Sequence, residues 1–151
     1  MDTEDYYYSS LTELDISDEE LTKLPDDLHL YTKLEYLCCA ANKLTQLNNL
    51  PQSLKELSCS HNQITHLDNL PPNLKYLYCS DNYITHLDNL PLSLKELNCS
   101  GNKLTKLNNL PRSLKKLQCN GNPLEYDFHC SVENIRKYVA STGDNLIFQK
   151  N

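Results

Sequence analysis

The residues richest in chemistry are the cysteines, and their spacing is regular. Cys39, Cys59, Cys79, Cys99 and Cys119 recur every 20 residues, while Cys38 and Cys130 stand outside that series. A zinc site would favour C-x-x-C pairs, which the chain lacks. A nucleophilic cysteine needs a lowered pKa and a basic neighbour. His129 directly precedes Cys130, but adjacent side chains point apart unless the backbone turns. Disulfides within the series are disfavoured, because in-register side chains lie parallel rather than facing and five members cannot pair evenly. We therefore expect a structural column of free thiols, buried as small hydrophobes, with Cys38 the more exposed thiol.

Two histidines share the same interval. His66 and His86 lie one repeat apart with Asp68 and Asp88 close by, a spacing at which two imidazoles could share a metal. Gln46 and Lys106 occupy the equivalent site in neighbouring units, which favours a polar flank. A Gly-rich phosphate loop, a nucleophile elbow and a paired-carboxylate signature are all missing. The expectation is no catalytic residue, no cofactor and no metal. Tyrosine remains: Tyr76, Tyr78 and Tyr83 gather in one unit, and Tyr is favoured at binding hot spots. Tyr6, Tyr7 and Tyr8 follow Asp2, Glu4 and Asp5, a segment suited to a cap, a tail, a docking element or a phosphorylation target.

The elements that position these residues are repeats. Residues 51–70, 71–90, 91–110 and 111–122 align without insertion as PQSLKELSCSHNQITHLDNL, PPNLKYLYCSDNYITHLDNL, PLSLKELNCSGNKLTKLNNL and PRSLKKLQCNGN. KLEYLCCAANKLTQLNNL precedes them, and a degenerate copy, LTELDISDEELTKL, starts 23 residues upstream of Leu34. The frame is L-x-x-L-x-C-x-x-N-x-[LI]-T-x-L-[ND]-N-L-P. Leu57 and Cys59 alternate inward along a short strand. Ile64, Leu67 and Leu70 point inward from the return path. One coil cannot enclose its own apolar face, so stacked copies must bury it together.

Asn42, Asn62, Asn82, Asn102 and Asn122 form a second column, with amides suited to satisfying backbone groups where each coil leaves its strand. Glu19 replaces asparagine in the first copy. Pro51, Pro71, Pro91 and Pro111, with Pro25, suit an extended return path and are expected to turn the chain despite only 3 glycines.

This frame resembles the leucine-rich repeat, and Leu11 to Pro123 carry the resemblance. The 20-residue unit with Leu-Pro in its return path is similar to repeats of free-standing effectors of Gram-negative pathogens and of giant DNA viruses of amoebae. The resemblance implies an α/β solenoid. Its elements would be a right-handed superhelix with a concave parallel β-sheet, an extended or polyproline-like convex side and a short C-terminal helical cap. It also implies a non-enzymatic module that binds a partner protein in the cytosol, or the host cytosol for a viral protein. Residues 1–10 read as an N-terminal cap or tail, 11–123 as about six coils and 124–151 as a C-terminal cap. In the last, Ser131 is the N-cap of a helix that presents Val132, Ile135 and Val139 and stops at Gly143. Leu146, Ile147 and Phe148 then add apolar cover.

The expected partner-binding positions project from the concave strands: Tyr36, Cys38, Glu56, Ser58, His61, Tyr76, Tyr78, Asp81, Glu96, Asn98, Lys116 and Gln118, with Tyr83 at the outgoing edge. Net charge is −6, which disfavours nucleic acid and anionic membrane as partners. Residues 1–27 hold ten carboxylates against Lys23 alone, whereas 95–116 hold six cations against Glu96. That polarity fits two solvated ends, an orienting surface, or head-to-tail self-association into a homo-oligomer. The N-terminus lacks the pattern of a secretory signal, and no apolar run approaches a membrane span. Seven cysteines without a signal point to a reducing compartment. An enzyme-linked role, with a ligase domain fused to the repeats, would need more chain than follows Pro123.

Overall fold

A computed structural model of the chain describes residues 8–125 and 130–142. Six three-residue strands dominate it: β1 (Glu13–Asp15), β2 (Tyr36–Cys38), β3 (Glu56–Ser58), β4 (Tyr76–Tyr78), β5 (Glu96–Asn98) and β6 (Lys116–Gln118). All pair in parallel and in chain order. The fixed repeat length causes this, because every coil returns the chain to the same point one strand further along. Register is strict: Leu14, Leu37, Leu57, Leu77, Leu97 and Leu117 form one row.

The middle residue of each strand faces the core and its neighbours face out, as alternation requires. Leu37, Leu57 and Leu77 are fully buried, and so are the second-column residues Leu34, Leu54, Leu74, Leu94 and Leu114. On the return path Leu44, Ile64, Ile84 and Leu104 close the coil, with Leu47, Leu67, Leu87 and Leu107 behind them. Each such side chain contributes roughly 1.5–3 kcal/mol by leaving water. In the first coil Leu11, Leu14, Ile16 and Leu21 are only partly buried, because among the described residues no coil stacks on their open side.

The asparagine column stitches coils together with a fixed direction. Asn62 accepts from the Leu44 N–H (2.9 Å) and donates to the carbonyl of Cys39 (3.0 Å), both in the coil before it. Asn82 and Asn102 repeat this on Ile64 and Cys59, then on Ile84 and Cys79. Asn42 serves Leu21 and Ile16 of the first coil. This explains Glu19: among the described residues no earlier coil needs an amide from the first, so that position is open to other residues. A serine column adds to the stitching, since the Ser53, Ser93 and Ser113 hydroxyls donate to the carbonyls of Leu34, Leu74 and Leu94 at 2.7 Å.

Three expectations need correction. Proline does not by itself turn the chain: each coil carries left-handed backbone just past the strand, at Asp18, Ala41, His61, Asp81, Gly101 and Gly121. A second left-handed position falls at Asn49, Asn69, Asn89 and Asn109, just before Leu-Pro. Asparagine tolerates this conformation, which is how 3 glycines suffice. The return path is also not wholly extended. The longer first coil takes up its extra residues in a 3-10 turn, Leu28–Leu30, that buries Leu28 completely.

The third correction concerns Cys119, which is not a free thiol but is joined to Cys130 (Cα–Cα 5.7 Å). Parallel neighbours in the column cannot face each other, but Cys130 lies outside the repeat and approaches from the end of the stack. The other column members, Cys39, Cys59, Cys79 and Cys99, are free and buried.

The pair ties the last coil to helix α1 (Val132–Thr142). Ser131 caps α1, its Oγ accepting from the Asn134 N–H, while Val132 and Ile135 are buried in the core. Gly143, Leu146, Ile147 and Phe148 lie outside the described residues, as do Tyr6, Tyr7 and His129. At the other end residues 8–10 are helical, and the Tyr8 hydroxyl donates to Asp27 while its ring meets Tyr31 edge-on.

Candidate functional site: the exposed face of the sheet

Strand alternation sends two residues of every strand outward, so the sheet carries two rows across the coils. The first reads Glu13, Tyr36, Glu56, Tyr76, Glu96, Lys116, and the second Asp15, Cys38, Ser58, Tyr78, Asn98, Gln118. From β2 to β5 these positions are half-buried, shielded by their row neighbours, and those of β6 are exposed. Ten of the expected partner-binding residues are thereby brought together.

The remaining three sit elsewhere. His61 and Asp81 occupy the left-handed turn at the trailing edge, both exposed, with His61 Nε2 3.7 Å from Asp81 Oδ2. A Cβ at Gly101 would clash with Oδ1 of Asp81, so glycine there makes room for this side chain as well as for the turn (φ +65°). Tyr83 lies past that turn, off both rows, and is 52% exposed.

Electrostatics divide the face into bands. Along the leading edge runs a column of Glu35, Lys55, Lys75, Lys95 and Lys115, each lysine amide donating to the carbonyl of the column residue one coil before. Within it Lys55 pairs with Glu35 at 2.6 Å. The first row is acidic and aromatic until Lys116 answers Glu96 at 3.3 Å. Burial chiefly, then the charges of Cys38, Asp15 and Glu56, push the Tyr36 hydroxyl up to about 12. Burial and then Glu56, Glu96 and Tyr76 raise Tyr78 in the same way. Both phenols stay neutral donors at ordinary pH. Glu13, Asp15 and the lysine column were not picked out by sequence reasoning. Register with the second coil could have found the first two, and a lysine at the same offset in four successive repeats is a signal for the third.

The thiols inside the sheet are poorly suited to chemistry. Burial pushes Cys39 and Cys99 up to about 12 and raises Cys59 and Cys79 further from the reactive range. Cys38 is the free thiol on the outer face. His66 and His86 are exposed, each bonded to the preceding threonine hydroxyl. Among the described residues no group of three or more His, Cys, Asp or Glu side chains could hold a metal ion, and no helix is long and apolar enough to cross a membrane. The clefts on the return side are shallow and polar. One of about 350 Å³ lies between His86, Asp88 and the Lys106–Glu125 pair.

Comparison with known proteins agrees with this geometry. A model for leucine-rich repeats in two copies matches residues 52–92, and a second model for the leucine-rich repeat matches residues 93–117. A Shigella effector LRR domain is 34% identical with a TM-score of 0.72, the match covering 80% of this chain and 54% of that one. YopM from Yersinia enterocolitica is 39% identical with a TM-score of 0.67, over 74% of this chain and 24% of that one. YopM from Yersinia pestis, described as a leucine-rich effector protein, is 36% identical with a TM-score of 0.62, over 76% and 38%. This chain therefore spans about half the length of the Shigella domain and about a quarter of the Yersinia enterocolitica protein. Comparison with curated proteins gives no match.

Proposed function

This chain is a leucine-rich repeat protein, and from that premise we propose that it is a non-enzymatic module binding a partner protein on the exposed face of its sheet. One observation carries the reading. The inward columns hardly change from coil to coil, whereas the outward rows do, and their variation concentrates half-buried tyrosines at Tyr36, Tyr76 and Tyr78. Tyrosine offers a large rigid surface with a hydroxyl donor and loses little conformational entropy on binding. The similarity to effector domains of Shigella and Yersinia supports a host protein as the partner.

A photo-crosslinking residue placed at position 78 tests this against one at position 45, which is exposed on the return side. We expect a discrete covalent adduct in lysate from position 78 and none from position 45. Equal capture from both, or capture from 45 alone, overturns the proposal.

A further inference from the structure

The chain itself shows what belongs beside a glutamate on this face. Glu35 receives Lys55 from the next coil, and Glu96 receives Lys116 from the next coil. Glu56 receives Tyr76 instead, and among the described residues no cation pairs with it. Glu13 is likewise followed by Tyr36. Tyr76 is flanked in its row by Glu56 and Glu96, roughly 4.8 Å away on either side. Tyr78 stands two residues on, on the same face of the same strand.

A carboxylate without a cation, next to one aromatic ring in its row and a second two residues on, is an arrangement that favours a cation, because ring quadrupole and carboxylate charge attract it together. We propose that Glu56, with Tyr76 and Tyr78 beside it, receives one arginine or lysine side chain of the partner protein, in the relation to Glu56 that Lys116 bears to Glu96.

The lysine column restricts the occupant further. Lys75 and Lys95 lie along the leading edge beside this site, so a run of cations crossing the strands would meet like charge. The fitting segment carries a single basic residue set among neutral or acidic ones. This inference rests on the exposed face being the binding face, and it names the chemistry that face selects.

Blocked pentapeptides of sequence Asp-Ala-X-Ala-Asp, with X as arginine, glutamine or glutamate, test it by NMR titration of the full chain. A fourth peptide, Arg-Ala-Arg-Ala-Arg, tests the single-cation rule. The arginine peptide should shift amides of residues 56–58, 76–78 and 96–98 and bind at least about fivefold tighter than the glutamine peptide, with glutamate weakest. The triple-arginine peptide should bind no tighter. Glu56→Lys, which supplies the cation from within, should weaken the arginine peptide about tenfold, and Glu56→Gln less.

Equal binding of the arginine and glutamine peptides to the native chain overturns the inference whether or not either variant folds. So does tighter binding of the triple-arginine peptide. If crosslinking from position 78 succeeds while arginine shows no advantage, the binding face stands and the cation assignment falls. If both fail, both readings fall.

Discussion

The two faces of the same sheet obey different rules. On the inner face one residue type runs unbroken through six strands, Leu14 to Leu117. On the outer face the same six strands carry Glu, Tyr, Glu, Tyr, Glu and Lys in one row and six different residues in the other. Strands roughly 4.8 Å apart make each inner side chain the packing partner of its own copies, so a change of shape in one coil is felt in two others. Outward residues have solvent as an alternative neighbour. Uniformity is thus a packing requirement, and variation is confined to where packing does not forbid it.

The comparison can be broken most directly at two adjacent residues. Leu77→Ala removes a fully buried side chain and should destabilise the fold by about 2–5 kcal/mol. Tyr78→Ala, one position on, should cost under about 1 kcal/mol while weakening partner capture. Urea unfolding of both variants measures the contrast, and similar losses would erase it. A smaller effect sharpens the same line at Asn82. Its replacement by alanine strands the Ile64 N–H, at about 1–3 kcal/mol for a buried group left unpaired, while the Cys59 carbonyl keeps the Asn62 amide. Asn122→Ala should cost less, because Asn122 is only half-buried at the end of the stack. The smallest effect runs the other way. Ala41 holds a left-handed φ of 53° where later coils use Gly101 and Gly121, so Ala41→Gly should raise stability by roughly 1 kcal/mol in thermal unfolding.

Much of this was legible because the repeat has no insertions from residue 51 onward. A constant period makes each column visible, and alternation then assigns inward and outward residues without further information. Ten of the outward residues follow from that rule alone. It failed where the period did. The first copy is 23 residues long and poorly matched, so Glu13 and Asp15 were not seen as members of the two rows. Ala41 and His61 are not residue types that announce a left-handed turn, so the sequence alone points to proline as the turning device. Cys130 belongs to no repeat, and nothing in its spacing pointed to Cys119.

The direction of the asparagine stitching has a consequence for the order in which the chain can be made. Each coil has its backbone groups satisfied by an amide about 18–23 residues further on, as Leu44 and Cys39 are by Asn62. A chain emerging from its amino end therefore completes a coil only after the following one has been synthesised, and ordered structure trails synthesis by one turn. Among the described residues no coil follows the sixth, which is joined instead to α1 through Cys119–Cys130, with Arg136 donating to the Leu114 carbonyl. An added 20-residue unit inserted anywhere between the second coil and the sixth would bring its own amide and inherit its neighbour's. The length of such an array is thus open to change by whole turns, while its two ends are not.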